Sequence, residues 1–184
     1  MVFFLIIIAI IACVALWFVG VYNGFIKSKN NCEEAYSTMD VYLKKRYDLV
    51  PNLVETVKGY AKHESETFEN VVKARSMVGS ATTVEERAEA ENQLTGTLKT
   101  LFAVAESYPE LQANQNFLDL QSQLQTLEGE IAESRKYYNA TVKTYNNKVE
   151  MFPTNLIATV FHFERKPMFE VNSAEERQNV KVQF

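Results

Sequence analysis

FLDLQSQLQTLEGEIAESRKYYNATVKTYNNKVEMF, residues 117–152, decides the fold, because its apolar and small side chains recur at one helical interval. Phe117, Leu120, Leu124, Leu127, Ile131, Ser134 and Tyr138 are followed in register by Val142, Tyr145, Val149 and Phe152. The steps alternate three and four, as the seam of a bundle or coiled coil requires. Two successive fours around Tyr138 form a stutter, which locally relaxes a left-handed supercoil. A helix of about forty residues far exceeds the average of about 11–12, so it suits an elongated bundle.

Upstream segments supply partners for that seam. Cys32, Tyr36, Met39, Leu43 and Arg46 mark the face of a first helix. Leu53, Val57, Ala61, Phe68, Val71 and Val78 mark a second, and Val84, Ala88, Leu94, Leu98, Leu101 and Ala105 a third. Asp48 can cap a new helix with Pro51 in its first turn, where a missing N–H costs nothing. Gly79–Thr83 ends the second helix, and Thr83 with Glu86 three residues on forms a capping box for the third. Ser107-Tyr108-Pro109 ends the third. These breaks predict an antiparallel up-down-up-down four-helix bundle. If Pro51 only kinks one long helix, the bundle has three members.

The N-terminus decides location. Residues 1–26 carry no charged side chain, and the first charge is Lys27. About 20 apolar residues span a bilayer core of roughly 30 Å. Each Leu, Ile, Val or Phe at mid-membrane favours insertion by roughly 0.3–0.6 kcal/mol, while a lysine costs about 2.5–3.5 kcal/mol. A transmembrane helix over 1–26 follows, with Trp17 and Tyr22 near its C-terminal boundary. A cleaved signal peptide wants basic residues ahead of the apolar run, and none precede it. Ile10-Ile11-Ala12-Cys13 resembles a lipoprotein site, but apolar residues continue for a dozen positions beyond Cys13. The expectation is an uncleaved single-pass anchor. Lys27 and Lys29 flank it on the C-terminal side, so the positive-inside rule places the N-terminus outside and the bundle in the cytoplasm.

The remainder divides into a helical bundle over 27–152 and a C-terminal tail over 153–184. A net charge of −4 argues against nucleic acid as a partner, since phosphate binding needs a basic face. Cys13 and Cys32 lie too far apart on a continuous helix to form a disulfide.

Several stretches carry a family resemblance. Arg46-Tyr47-Asp48-Leu49-Val50-Pro51-Asn52-Leu53-Val54 and Val57-Lys58-Gly59-Tyr60-Ala61-Lys62-His63-Glu64 resemble the LemA signature. Glu106–Leu111, Gln121–Leu124, Arg135–Asn139, Tyr145-Asn146 and Phe152-Pro153 fit the same pattern. The resemblance implies a bacterial, membrane-anchored helical protein with an antiparallel bundle; it implies little about biochemical role.

No motif points to catalysis. His63-Glu64-Ser65-Glu66 is the one cluster resembling ligands, but no Glu-x-x-His occurs, as a di-iron bundle needs. His-Glu-x-x-His, phosphate-binding glycine loops and zinc-type Cys-His spacing are equally missing from the sequence. The expectation is a non-enzyme with neither cofactor nor metal.

Arg46 falls in register with Met39 and Leu43 on an apolar stripe, so it must pair or snorkel. Glu64, Glu106 and Asp48 are candidate partners, Asp48 disfavoured because i,i+2 residues do not face each other. Asn139 and Asn146, seven apart, suggest interhelical hydrogen bonds. Ala9, Cys13, Trp17, Gly20 and Gly24 place mostly small residues on one face of the membrane helix, where Gly20-x-x-x-Gly24 permits close helix approach. In the tail, Phe161, Phe163, Phe169 and Phe184 lie in the membrane interface, pack on their own bundle or dock on another subunit. Together these features predict a membrane-anchored, homo-oligomeric scaffold or adaptor. The alternatives are a regulatory subunit of a membrane protease or transporter, not self-assembling, and a ligand-binding bundle, for which no ligand set is apparent.

Overall fold

The computed structural model describes residues 1–170, and their regular structure is entirely helical. The order is α1 (Val2–Lys58), α2 (Ser65–Ser80), α3 (Val84–Ala105), α4 (Pro109–Gln112), α5 (Gln115–Glu150) and α6 (Thr154–Val160). Among the described residues α1 alone is long and apolar enough to cross a membrane, and its apolar stretch is not buried in the protein.

The first difference from the sequence reading lies at Asp48. No helix begins there, because α1 runs through Pro51 without a break. A proline inside a helix deprives the carbonyl four residues earlier of its donor, which here is the Tyr47 carbonyl. Arg75 of α2 replaces that donor: its Nε donates to Tyr47 O at 3.1 Å. The same guanidinium lies 3.8 Å from the centre of the Tyr47 ring. The freed carbonyl is therefore satisfied and the helix continues. Asp48 instead faces Lys44, one turn earlier, across an exposed 3.5 Å ion pair.

The break comes after Lys58, where Tyr60 and Ala61 both donate to Val57 O. It divides the second stripe between two helices, Leu53 and Val57 on α1 and Phe68, Val71 and Val78 on α2, yet all remain buried with Ala61 between them. At α3 the capping box is complete. Thr83 Oγ1 accepts from Glu86 N, while Glu86 Oε2 accepts from the Thr82 and Thr83 amides and the Thr82 hydroxyl. These donors hold the Glu86 carboxyl below the usual glutamate value, the Thr82 amide contributing most. Pro109 opens α4 at its first turn, where its missing N–H is harmless.

The chain divides into two compact units. One comprises Asp40–Ala132 and the chain from Phe169. Its core joins Val50, Leu53, Val54 and Val57 of α1, Phe68, Val71, Ala74 and Val78 of α2, and Leu94, Leu98 and Leu101 of α3 to Phe117 and Leu124 of α5.

The other unit comprises Met1–Met39 and Glu133–Met168. Phe25, Cys32, Ala35 and Met39 are buried in it, as are Ser134, Tyr138, Val142 and Tyr145 on the C-terminal part of the α5 seam. The rings of Tyr36 and Tyr138 meet edge to face, as do those of Phe25 and Tyr145. Burial pushes the Tyr145 phenol and the Cys32 thiol up. The seam ends sooner than its spacing suggests: α5 stops at Glu150, and Phe152 lies beyond it, exposed.

α6 closes with a Schellman arrangement. Phe163 N donates to Ala158 O at 2.9 Å and His162 N to Thr159 O at 3.4 Å, with His162 at φ 55°. The irregular strand that follows lies on α5. Asn146 Nδ2 donates to Lys166 O and Lys166 N donates back to Asn146 Oδ1, both at 2.9 Å. Tyr138 Oη donates to Pro167 O at 3.0 Å.

Candidate functional site

The one fully buried cation in the core among the described residues is Arg46, on the inner stripe of α1 between Leu43 and Val50. Nothing on α1 can neutralise it there, since its helical neighbours on that stripe are apolar. The carboxylates come from other helices. Arg46 Nη2 donates to Glu91 Oε2 of α3 at 2.5 Å and to Glu91 O at 3.3 Å. Its Nη1 donates to Thr95 Oγ1 at 2.7 Å and to Glu128 Oε1 of α5.

The array extends outward. Arg87, one turn before Glu91, donates from Nε to Glu91 Oε1 at 2.9 Å, and its Nη2 lies 3.4 Å from Asp40 Oδ1. Charges alternate along Asp40, Arg87, Glu91, Arg46 and Glu128, three carboxylates against two guanidiniums. Arg46 and Glu91 are wholly buried, whereas Glu128 is 39% exposed, so the array reaches solvent at that end. Desolvating such groups is costly and is offset only where geometry is good and remaining donors are satisfied. Four of the five Arg46 N–H groups can be satisfied in this way; Nε has no partner.

Such an array fixes the register of α1, α3 and α5 within this unit. A slip of one helical step would strand a buried charge, at a cost of several kcal/mol. Both Glu91 oxygens are held by guanidiniums, so the buried carboxylate of the array has no oxygen left for proton transfer or metal binding. Among the described residues no group of three or more His, Cys, Asp or Glu side chains is arranged to hold a metal ion.

The partners of Arg46 thus differ from those the sequence suggested. Glu64 accepts a 3.1 Å hydrogen bond from Tyr108 Oη, which raises the pKa of that phenol. Glu106 is exposed beyond the end of α3, and Asp48 faces Lys44. The signal for Glu91 was present in the sequence. The third stripe steps six positions from Ala88 to Leu94, and residue 91 is where a three-plus-three step falls.

Two signature stretches meet at the turns of the same unit. Tyr60 Oη accepts from Asn114 Nδ2 at 2.8 Å, near the Glu64–Tyr108 contact. Ala61 and Leu111 are fully buried there.

Residues 35–184 match the family model described as "LemA family". The chain belongs to the LemA family. Its relatives include Protein LemA of Metamycoplasma hominis, 25% identical over 163 residues, which cover 86% of this chain and 73% of that protein. Magnetosome protein MamQ 2 of Paramagnetospirillum magneticum is 25% identical over 189 aligned positions, 89% of this chain and 70% of the relative. Magnetosome protein MamQ of Magnetospirillum gryphiswaldense is 23% identical with the same coverage. Arg46 and the two turn motifs lie inside the region matched by the LemA model, whereas residues 1–34 lie outside it.

All but Phe169 and Phe184 of the remaining candidates of this LemA protein fall in the unit that holds the apolar helix. Asn146 pins the strand at Lys166 instead of bridging two helices, and Asn139 is half-buried on α5. Ala9, Cys13 and Gly20 are exposed, and a Cβ at Gly20 would meet nothing within 4 Å. Gly24 is half-buried under Lys148, whose Nζ donates to Gly24 O at 2.9 Å and Ser28 Oγ at 2.6 Å. Phe161 packs on Tyr22 and Phe18 with ring centres 4.8 and 5.6 Å apart, and Phe163 stacks on Phe25 at 4.7 Å. Phe169 is buried, in the other unit. Phe184 lies outside the described residues.

Proposed function

We propose that this LemA-family chain is a non-catalytic scaffold or adaptor, held in a bacterial cytoplasmic membrane by α1, N-terminus outside, with a four-helix bundle in the cytoplasm. The observation that carries the reading is the closed charge array. The ionisable groups placed on the bundle's inner stripes are spent on one another, Arg46 with Glu91 and Glu128, and Arg87 with Glu91 and Asp40. An enzyme would leave its buried carboxylate free to give or take a proton, whereas both oxygens of Glu91 are taken by guanidiniums. The array instead stabilises one helix register, which suits a part whose task is to present a surface.

Self-assembly is the second half of the proposal. The apolar part of α1 is unburied, and the small residues Ala9, Cys13 and Gly20 on it are exposed and open to another membrane helix. Membrane lipid and further copies of the chain are then its partners, and no nucleic acid is. Native mass spectrometry of the full-length protein, extracted in mild detergent, tests this: a closed multimer is the predicted result. A monomer, or a one-to-one complex with another membrane protein, would favour the regulatory-subunit alternative.

A further inference from the structure

We infer that α6 and the three residues before it form a second membrane contact, a short helix seated in the leaflet where α1 emerges. The inference rests on the reading of α1 as a membrane anchor. Phe161, at the end of α6, packs its ring against Tyr22 and Phe18. Both lie inside the charge-free stretch, five and nine residues before Lys27. At 1.5 Å per residue, Phe161 therefore sits roughly 7–14 Å deeper than the first lysine. Interfacial helices bury their apolar faces about 5–10 Å into the headgroup and acyl boundary, so the depth agrees.

The composition of the segment agrees as well. Ile157 and Ala158 face the protein and are buried. The outward side chains are Met151, Phe152, Leu156 and Val160, with Phe152 78% and Leu156 57% exposed. Scattered apolar residues on a surface need no explanation, but a run of four on one short segment at this depth does. Cations mark the other boundary. Lys27 and Lys29 follow the charge-free stretch on α1, and Lys148 is held against Gly24 and Ser28 at that level. Lys148 also lines a groove of about 360 Å³ with Trp17, Gly20, Val21, Gly24 and Thr154. An ammonium has three donors, and Gly24 and Ser28 take two, so one is left for a phosphate oxygen at the groove mouth. Apolar groups below, cations above and the depth fixed by α1 match a phospholipid leaflet better than a second protein surface.

Site-directed spin labelling of the full-length protein tests the inference in vesicles of phosphatidylethanolamine and phosphatidylglycerol. Cys13 and Cys32 are first replaced by serine or alanine, and single cysteines are placed at Leu16, Phe152, Leu156 and Lys136. Labels at Phe152 and Leu156 should collide with oxygen several-fold more than with a water-soluble nickel chelate, as at Leu16, while Lys136 shows the reverse. If Leu16 reports lipid but Phe152 and Leu156 report water, α6 is not in the membrane and the inference falls while the anchor stands. If both are shielded from both reagents, protein covers α6 and the inference falls in favour of a subunit contact. If Leu16 also reports water, the anchor reading fails and this inference fails with it.

Discussion

Arg46→Ala removes the fully buried guanidinium on which Glu91 of α3 and Glu128 of α5 converge. Arg46 and Glu91 are both fully buried, and Glu128 is partly so. Breaking a buried pair from one side costs about 3–5 kcal/mol, because the surviving charge keeps its desolvation penalty and loses its partner. Glu91 retains one bond, from Arg87 Nε at 2.9 Å, which argues for the lower end, about 3 kcal/mol. For a chain of this size each kcal/mol shifts the midpoint by roughly 2–4 °C, so Tm should fall by about 6–12 °C. Circular dichroism at 222 nm, followed through a thermal scan of the detergent-solubilised full-length protein, reads this directly. Arg46→Met combined with Glu91→Leu should recover most of the loss, since apolar replacement of both partners removes the desolvation penalty too. A Tm within about 2 °C of wild type for Arg46→Ala would refute the reasoning. So would a double variant as unstable as the sum of its parts.

Arg75→Ala should leave the Tyr47 carbonyl without a donor opposite Pro51, costing about 1–3 kcal/mol, and amide exchange around residues 47–52 should quicken. Thr83→Ala should cost about 1 kcal/mol through loss of the cap on α3, measurable by chemical denaturation. Glu86 is more acidic when folded than unfolded, so its stabilisation is present above the ordinary glutamate value of 4.5 and is lost as pH falls through the lower folded value. NMR of the Thr82 and Thr83 amides in acid should therefore show the start of α3 fraying, with Glu86→Gln abolishing the transition. Asn146→Ala should release both hydrogen bonds to Lys166, at about 1–3 kcal/mol, and raise proteolytic nicking near residues 164–168 without a matching change in α2 or α3.

The seam and the stripes could be read from the sequence because burial follows the helical repeat: of the seventeen positions on the three upstream stripes, only Tyr36 and Val84 are half-buried. What escaped were features decided by a partner from elsewhere in the chain. Proline at residue 51 signals a break by its own chemistry, and only Arg75, twenty-four residues on, makes the helix continue. Arg46 announced a buried charge, but the choice between Glu64, Glu106 and Glu91 turns on helix register. The gap between Ala88 and Leu94 held the answer, because a carboxylate on an apolar stripe is as conspicuous as the arginine it neutralises. Asn146 was legible as a buried amide and not as the clasp of the strand at Lys166, since that strand has no periodicity to place it. Phe161 and Phe163 stood out as apolar, yet only their ring contacts with Phe18, Tyr22 and Phe25 set their level along α1.

The proposal that this LemA protein assembles in the membrane is tested most directly by counting its chains there. Full-length protein carrying one fluorophore per chain, reconstituted into vesicles at a protein-to-lipid ratio that leaves most vesicles empty, can be bleached step by step under single-molecule illumination. A scaffold predicts multi-step traces clustered at one fixed number, and fewer steps when the exposed Cys13 and Gly20 are both replaced by leucine. Single-step traces across the range of protein densities would contradict it.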